Sequence, residues 1–103
     1  MFFNFQNPEQ ELCTFKKLPL AAEVKYLGNV VGDKHLGSVD DCINKCKEIK
    51  ECNNFVYAKH KKECYLKDGH LTGSEPVRAW TQQFSVYKSC NKPSMMTQGN
   101  QIT

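Results

Sequence analysis

The six cysteines of the 103-residue chain are the residues best suited to do chemistry, and three of them fall in the stretch CINKCKEIKEC, from Cys42 to Cys52. Such a cluster serves as metal ligands, redox thiols or disulfides. Structural zinc sites usually contain close Cys-x2-Cys pairs, and thioredoxin-like chemistry needs the same motif at a helix start, but this sequence contains no such pair. The spacing therefore favours disulfides and predicts no metal ion and no other cofactor.

The composition is that of a small protein with a thin core. One domain is expected at this length, and only 40% of the residues are hydrophobic, so disulfides are expected to supplement the core. An even number of cysteines fits an oxidising compartment, and we expect a secreted, extracellular protein. The first residues, MFFNF, lack the features of a signal peptide, so a secreted protein is expected here as a mature or excised fragment with an added start Met. The polar tail after Cys90 favours a linker, and we expect the chain to be part of a larger multidomain protein.

Charge and hydropathy argue against several function classes. The formal net charge of +3 is far from the strongly basic balance of a nucleic-acid-binding protein. No apolar run approaches the roughly 20 residues that cross a bilayer, so membrane insertion is not expected. The three histidines, His35, His60 and His70, fall in predicted loops, and oxidised cysteines supply no nucleophile to pair with them. The sequence therefore predicts a binding protein and not an enzyme.

The clearest local pattern predicts a helix over about residues 39–50. Ser38 offers an N-cap hydroxyl, and Asp40 and Asp41 follow in the first turn, where the helix dipole favours acidic side chains. Apolar residues then recur at the spacing of a helix with one buried face. They are Val39, Cys42, Ile43, Cys46 and Ile49.

The patterns on both sides of this helix predict strands. A weak alternation from Cys13 to Pro19 indicates a first strand, and the apolar residues of 24–31 indicate a second strand with a bend. The apolar segments 55–58 and 64–66 flank a charged stretch and predict a hairpin. The other expected segments are a polar N-terminal lead (1–12), a long loop (67–79), a last strand (80–87) and a flexible C-terminal tail or linker (91–103).

Helix geometry limits how the cysteines pair. Cys42 and Cys46 lie one turn apart, with Cβ atoms about 5–6 Å from each other, whereas a disulfide needs roughly 3.8 Å. These two are therefore not expected to bond to each other. The nearest partner for Cys46 is Cys52, just past the helix end. Cys42 can reach Cys64, on the strand after the charged stretch. The expected pairs are Cys46–Cys52, Cys42–Cys64 and, as the remaining pair, Cys13–Cys90.

The order of these motifs resembles the PAN/apple domain family. The resemblance rests on Cys-x3-Cys-x5-Cys from Cys42, an aromatic strand after it, CYLKD at 64–68 and FSVYKSC at 84–90, and it covers residues 13–90. It implies an α+β fold in which a curved antiparallel β-sheet cradles one α-helix and is stapled by disulfides. In the family the first cysteine pairs with the sixth, the second with the fifth and the third with the fourth, which implies the same three pairs here.

The resemblance also implies a function. Members of the family are extracellular adhesion modules in contact-phase coagulation zymogens, growth factors, leech salivary proteins and apicomplexan microneme adhesins. An extracellular, non-catalytic module that recognises a carbohydrate, sulfated glycans included, or a protein ligand is therefore expected. The alternative is a free-standing secreted effector, toxin-like or anti-haemostatic, that blocks a host protein. Flanking modules in the full-length gene would favour the first interpretation.

The predicted hairpin tip is the best local candidate for a ligand site. Residues 59–62, KHKK, gather three lysines and a histidine within four positions, which suits a sulfated glycan or another acidic partner. The competing interpretation is a solvated charged loop, the commoner role of such a tip. A neutral sugar is an alternative ligand, with hydrogen bonds from Asn53, Asn54 and the polar 67–79 loop.

Further residues are candidates to extend this site. Lys67 and Arg78 would add cations, and Tyr65 is expected to face outward from its strand and to offer a stacking surface. Trp80 is a second stacking candidate, although the single tryptophan of a small domain more often belongs to the core. The predicted ligand-binding residues are Lys59, His60, Lys61, Lys62, Tyr65 and Arg78.

Overall fold

The computed structural model describes residues 12–79 and 82–91, which form an antiparallel sheet with one longer helix packed against it. The strands are β1 (Leu12–Lys17), β2 (His35–Leu36), β3 (Asn54–Ala58), β4 (Glu63–Lys67) and β5 (Gln83–Asn91), and the helices are α1 (Val24–Leu27) and α2 (Val39–Glu48). The strand order across the sheet is β1-β5-β3-β4-β2, and every pairing is antiparallel. This architecture confirms the expected α+β fold.

The helix predicted over about 39–50 is α2, and its start is fixed by a capping box. The Ser38 hydroxyl accepts a hydrogen bond from the Asp41 N–H at 3.1 Å, and the Asp41 carboxylate accepts one from the Ser38 N–H at 2.9 Å. These reciprocal bonds satisfy two backbone donors that a helix N-terminus otherwise leaves unpaired. Cys42 and Cys46 lie on the face of α2 that packs against the core, and both are fully buried.

The main core lies between α2 and one face of the sheet. Successive side chains of a strand point to opposite faces, and alternate residues of the three central strands therefore meet the helix. The apolar residues of this face are Phe55, Tyr57, Leu66, Phe84 and Val86. The Cys42–Cys64 disulfide joins α2 to the face, and both cysteines are fully buried.

The two other disulfides act at the edges of this core. Cys46–Cys52 closes the turn that follows α2, six positions apart in the chain. Cys13–Cys90 links directly paired residues of β1 and β5, and both of its cysteines are exposed. All six cysteines are thus oxidised, in the pairing that the family resemblance implies.

The opposite face of the sheet carries a second, smaller core. The segments 18–28 and 71–78 cross this face, and their apolar side chains pack on Val56 and Tyr87. The Ser85 hydroxyl accepts a hydrogen bond from the Ala22 N–H at 2.9 Å. The buried Asn54 side chain donates to the Leu27 carbonyl at 3.2 Å and to the Gly69 carbonyl at 2.7 Å, which ties the first crossing segment and the loop after β4 to β3.

The bent strand predicted over 24–31 was wrong. Residues Val24–Leu27 form the single turn α1, which the Tyr26 N–H closes on the Glu23 carbonyl at 2.9 Å. Gly28 then takes a φ of 81°, and the sheet contact of the predicted strand 24–31 is reduced to one isolated bridge, from Val30 to Lys67. The turn wins over the extended form because it buries Leu27 in the second core.

Two further boundaries differ from the sequence-based expectation. His35, predicted in a loop, forms the short edge strand β2 with Leu36, because their backbones pair with Cys64 and Glu63 of β4. The last strand begins at Gln83 and runs to Asn91, beyond the predicted end at residue 87. Its predicted start at Trp80 lies outside the described residues.

Candidate ligand-binding surface

The candidate site is the β3–β4 tip, which we define as residues 59–62. Its four side chains, from Lys59, His60, Lys61 and Lys62, are all exposed. The turn is closed by the Lys61 N–H donating to the Ala58 carbonyl at 3.2 Å and the Lys62 N–H donating to the Lys59 carbonyl at 3.3 Å. Lys62 takes a φ of 52°, which completes the reversal into β4.

The rest of the sheet holds the backbone of the tip at both ends. The Lys59 N–H donates to the carbonyl of Gln82, just before β5, at 2.7 Å. The Lys62 carbonyl accepts from the N–H of Gly37, just after β2, at 2.9 Å. The lysine side chains therefore extend from a backbone that is fixed on two sides.

The acid that follows the tip, Glu63, is turned inward. Its side chain is only 5% exposed and forms an ion pair with Lys34, with Nζ and Oε1 3.3 Å apart. The Tyr65 hydroxyl also donates a hydrogen bond to the Glu63 carboxylate. This hydroxyl, followed by the ammonium groups of Lys34 and Lys61, holds the pKa of the Glu63 carboxyl below its ordinary value. The negative charge next to the tip is thus compensated inside the protein.

Tyr65 lies beside the tip but is less open than expected. Its position on β4 places it on the sheet face opposite α2, as strand parity predicts. The residue is half-buried, and its hydroxyl is occupied by Glu63, which raises the pKa of the phenol above its ordinary value. The Tyr65 hydroxyl is therefore already engaged with Glu63, and only part of the side chain is exposed.

The other predicted site residues lie elsewhere. Arg78 is on the 71–78 segment, where its N–H donates to the Ala21 carbonyl at 2.8 Å. Lys67 ends β4, at the opposite end of that strand from the tip. Trp80 falls outside the described residues. The residue that sequence reasoning missed is Lys34, whose place beside the tip depends on the unpredicted pairing of β2 with β4.

The described residues contain no cluster of metal-ligating side chains, and their three histidines lie apart. Within 12–79 and 82–91, no group of three or more His, Cys, Asp or Glu side chains is placed to hold a metal ion. His35 lies on β2, His60 on the tip, and His70 in the loop after β4, so the three histidines occupy separate places. No helix in this part of the chain is both long enough and apolar enough to span a bilayer.

The segment that contains α2, both buried disulfides and the hairpin has a family assignment. Residues 24–67 match the family model of the PAN domain. This segment belongs to the PAN domain family. The match includes the tip and Lys34, so the candidate surface is part of the PAN domain itself.

Known relatives of this PAN domain are microneme antigens. The chain is 31% identical to the major microneme antigen of Sarcocystis muris over 67 residues, which are 65% of this chain and 28% of that protein. It is 40% identical to microneme antigen L2 of the same organism over 35 residues, 34% of this chain and 25% of that protein. A third microneme antigen of the organism is 44% identical over 34 residues, 33% of this chain and 14% of that protein.

The similarity to these relatives covers only part of each of them. The chain spans between 14% and 28% of the length of these curated relatives. No solved structure matches the chain at a significant level. The three disulfides independently indicate a PAN domain that folds in an oxidising compartment such as the secretory pathway.

Proposed function

We propose that this PAN domain is a non-catalytic extracellular adhesion module that binds sulfated glycans through the β3–β4 tip. The observation that carries the proposal is the pairing of an exposed cationic tip with an internally compensated acid. Lys59, Lys61 and Lys62 are exposed, whereas Glu63 is buried against Lys34 and Tyr65. A sulfated chain that approaches the tip therefore meets ammonium groups without an exposed carboxylate at the next position.

The geometry of the tip also favours a polyanion over a small neutral ligand. Lysine ammonium groups are point charges that bind sulfate or phosphate without strict geometry. The exposed side chains form a projecting surface, and neutral sugars are usually held in concave sites. Such contacts between exposed charges are screened within about 8 Å at physiological ionic strength, so the binding should weaken steeply with salt.

The relatives support the adhesion part of the proposal and its extracellular setting. They are named as microneme antigens, and this chain is similar to only a part of each. We therefore propose that the PAN domain acts as one module of a longer secreted protein. In that setting a weakly binding tip gains strength through repetition, because linked modules raise the effective concentration of the second contact.

Heparin-affinity chromatography tests the proposal. The wild type should be retained, and the variant K59S/K61S/K62S should elute with the unbound fraction while its melting temperature stays nearly unchanged. The matched control is K16S/K25S/K47S, which removes three exposed lysines from β1, α1 and α2 and lowers the net charge equally. Retention that falls equally in both variants would make the effect one of net charge, and no retention of the wild type would contradict the proposal.

A further inference from the structure

A cleft of about 470 Å³ opens at the end of the sheet farthest from the tip. It lies where the chain leaves α2, enters β3, leaves β4 and reaches the last residues of β5. Its volume falls within the roughly 300–1,000 Å³ typical of small-molecule sites. Its lining residues are Cys13, Lys50, Asn53, His70, Lys88 and Cys90.

The floor of this cleft is built around Asn53. The Asn53 N–H donates to the Lys67 carbonyl, and the Asn53 carbonyl accepts from the Lys88 N–H, both at 2.9 Å. The side-chain nitrogen donates to the Asp68 carbonyl at 3.0 Å and to the Glu51 carbonyl at 3.3 Å. Because both of these acceptors are carbonyl oxygens, they fix which end of the amide is the nitrogen, and Oδ1 points away from them.

One wall of the cleft is the exposed Cys13–Cys90 disulfide, which locks β1 to β5 at this point. The imidazole of His70 stands on another side, with Nε2 3.4 Å from the side-chain nitrogen of Asn53. Lys50 and Lys88 add two cationic residues to the lining. The cleft is thus held by a covalent bridge and by backbone hydrogen bonds, and its polar groups come from four different parts of the chain.

The charge of this lining is positive. Within the described residues, the lining includes two lysines and no aspartate or glutamate. The nearby Asp68 carboxylate accepts a hydrogen bond from the Asn29 N–H at 2.7 Å. The C-terminal end of α2 contributes only about half a negative charge by its dipole, which is less than the two ammonium charges. The cleft therefore favours an anionic ligand.

We propose that this cleft binds a terminal acidic monosaccharide of a glycan, with its carboxylate between Lys50 and Lys88; the internal uronate units of a heparin chain are not such a terminus. Charged hydrogen bonds from the two ammonium groups fit the carboxylate, and Oδ1 of Asn53 is an acceptor suited to a sugar hydroxyl. A protein ligand fits less well, because binding hot spots are usually aromatic or apolar anchors in matching pockets, and this lining is polar apart from the disulfide.

This site is independent of the tip. Asn53 precedes β3 and Lys59 follows it, which separates them by about 20 Å at 3.3 Å per residue. The two sites therefore respond to different substitutions. Loss of heparin retention in the tip variant and loss of acidic-sugar binding in a cleft variant are separate results, and either can occur alone.

Calorimetric titration with a matched pair of sugars tests the cleft. We expect 3′-sialyllactose to bind the wild type and lactose, which lacks the acidic unit, to bind at least about tenfold more weakly, since a charged hydrogen-bonded contact is lost. The comparison uses unmodified protein, so it does not depend on how a variant folds. Equal binding of the two sugars, or no binding of 3′-sialyllactose, would overturn the proposal.

Substitutions then locate the site. The variant K50S/K88S should bind 3′-sialyllactose about tenfold more weakly than the wild type, for the same reason. The tip variant K59S/K61S/K62S and the charge-matched K16S/K25S should bind it as the wild type does. Undiminished binding by K50S/K88S would place the site elsewhere. Competition by inorganic sulfate as strong as that by the sugar would make the cleft a general anion site and would also overturn the proposal.

Discussion

The Tyr65 hydroxyl donates a hydrogen bond to the carboxylate of Glu63, two residues earlier on the same face of β4. Lys34, which directly precedes β2, forms an ion pair with the same carboxylate. The acid next to the cationic tip therefore serves to connect two strands of the sheet, and its charge is directed inward. This relationship explains how a stretch that reads Lys-His-Lys-Lys-Glu in the sequence presents mainly positive charge to a ligand.

Substitution of Tyr65 by phenylalanine should raise the pKa of Glu63 toward its ordinary value of 4.5, because the hydroxyl bond is the largest cause of its lowering. Side-chain carboxyl chemical shifts, followed by NMR as the pH changes, report this pKa directly. The reciprocal variant, E63Q, should lower the pKa of Tyr65, which ultraviolet absorbance at alkaline pH detects. An unchanged Glu63 pKa in Y65F would show that the hydroxyl does not hold the carboxylate in solution.

Acid should destabilise the fold mainly below pH 4.5. Asp41, Glu63 and Glu75 all have lowered pKa values, from ordinary values of 3.8, 4.5 and 4.5. For Glu75 burial acts in the raising direction, and N–H donors of Thr72, Glu75 itself and Gly73 outweigh it. A pKa that is lower in the folded state gives stability that is present above the unfolded value and lost as the pH falls through the folded value.

Thermal unfolding between pH 7 and pH 3 checks this expectation. The melting temperature of the wild type should fall steeply below about pH 4.5, and D41N/E63Q should show a smaller fall over that range because two of the three groups no longer titrate. D40N, at an exposed neighbouring position on α2, is the control and should follow the wild type. A variant curve parallel to that of the wild type would mean that other groups control acid unfolding.

The three disulfides should contribute unequally to stability. Replacing both cysteines of Cys42–Cys64 by alanine should lower the melting temperature more than replacing Cys13–Cys90, because the first pair is fully buried between α2 and the sheet. Loop entropy acts in the other direction: sequence separations of 77 and 22 differ by about 1 kcal/mol in the chain-entropy model. Lost packing of two buried sulfur atoms, on the order of 1 kcal/mol or more each, should exceed that difference.

Differential scanning calorimetry of the two double variants measures this order. Equal or reversed losses would show that chain entropy, and not packing, decides. Thiol labelling of the native wild type is the accompanying control and should modify none of the six cysteines. Labelling of two or more would contradict the disulfide framework itself.

Asn54 should be an important polar residue for stability. Its alanine variant loses two hydrogen bonds, to the Leu27 and Gly69 carbonyls. The Leu27 carbonyl keeps the Gly69 N–H as a donor at 2.8 Å, whereas the Gly69 carbonyl loses the donor that Asn54 supplied. We expect a loss of about 1–3 kcal/mol in the free energy of unfolding, since a buried polar group that loses its partner costs on the order of 1–3 kcal/mol. Urea unfolding measures it, with N44A on the exposed side of α2 as the control. Equal stability of the two variants would contradict this role.

Local patterns were enough to predict some elements of the fold. The Ser38 cap and the apolar stripe predicted α2 because both signals lie within the helix itself, and the β3–β4 hairpin was visible because its two strands are adjacent in the sequence. The segment 24–31 was misread because its conformation depends on distant partners: Leu27 is buried in the second core, and the Leu27 carbonyl is held by Asn54.

The candidate sites also differ in how far they could be predicted from local sequence. The tip is a continuous stretch and could be found from the sequence, whereas Lys34 reaches Glu63 only through the β2–β4 pairing. The cleft could not be predicted at all. Lys50 and Lys88 line the same cleft only because the sheet brings β5 beside the start of β3. A sequence shows charges that are neighbours in the chain, and the fold decides which distant charges share a surface.

The most direct test of the proposed function is an NMR titration of the 15N-labelled wild type with a sulfated heparin oligosaccharide. We predict that the largest amide shift changes occur at residues 59–62 and their backbone partner Gly37, and that added salt reverses them. The desulfated oligosaccharide should leave these signals in place. Shift changes confined to another surface, or equal changes with the desulfated chain, would contradict the account that the tip binds sulfated glycans.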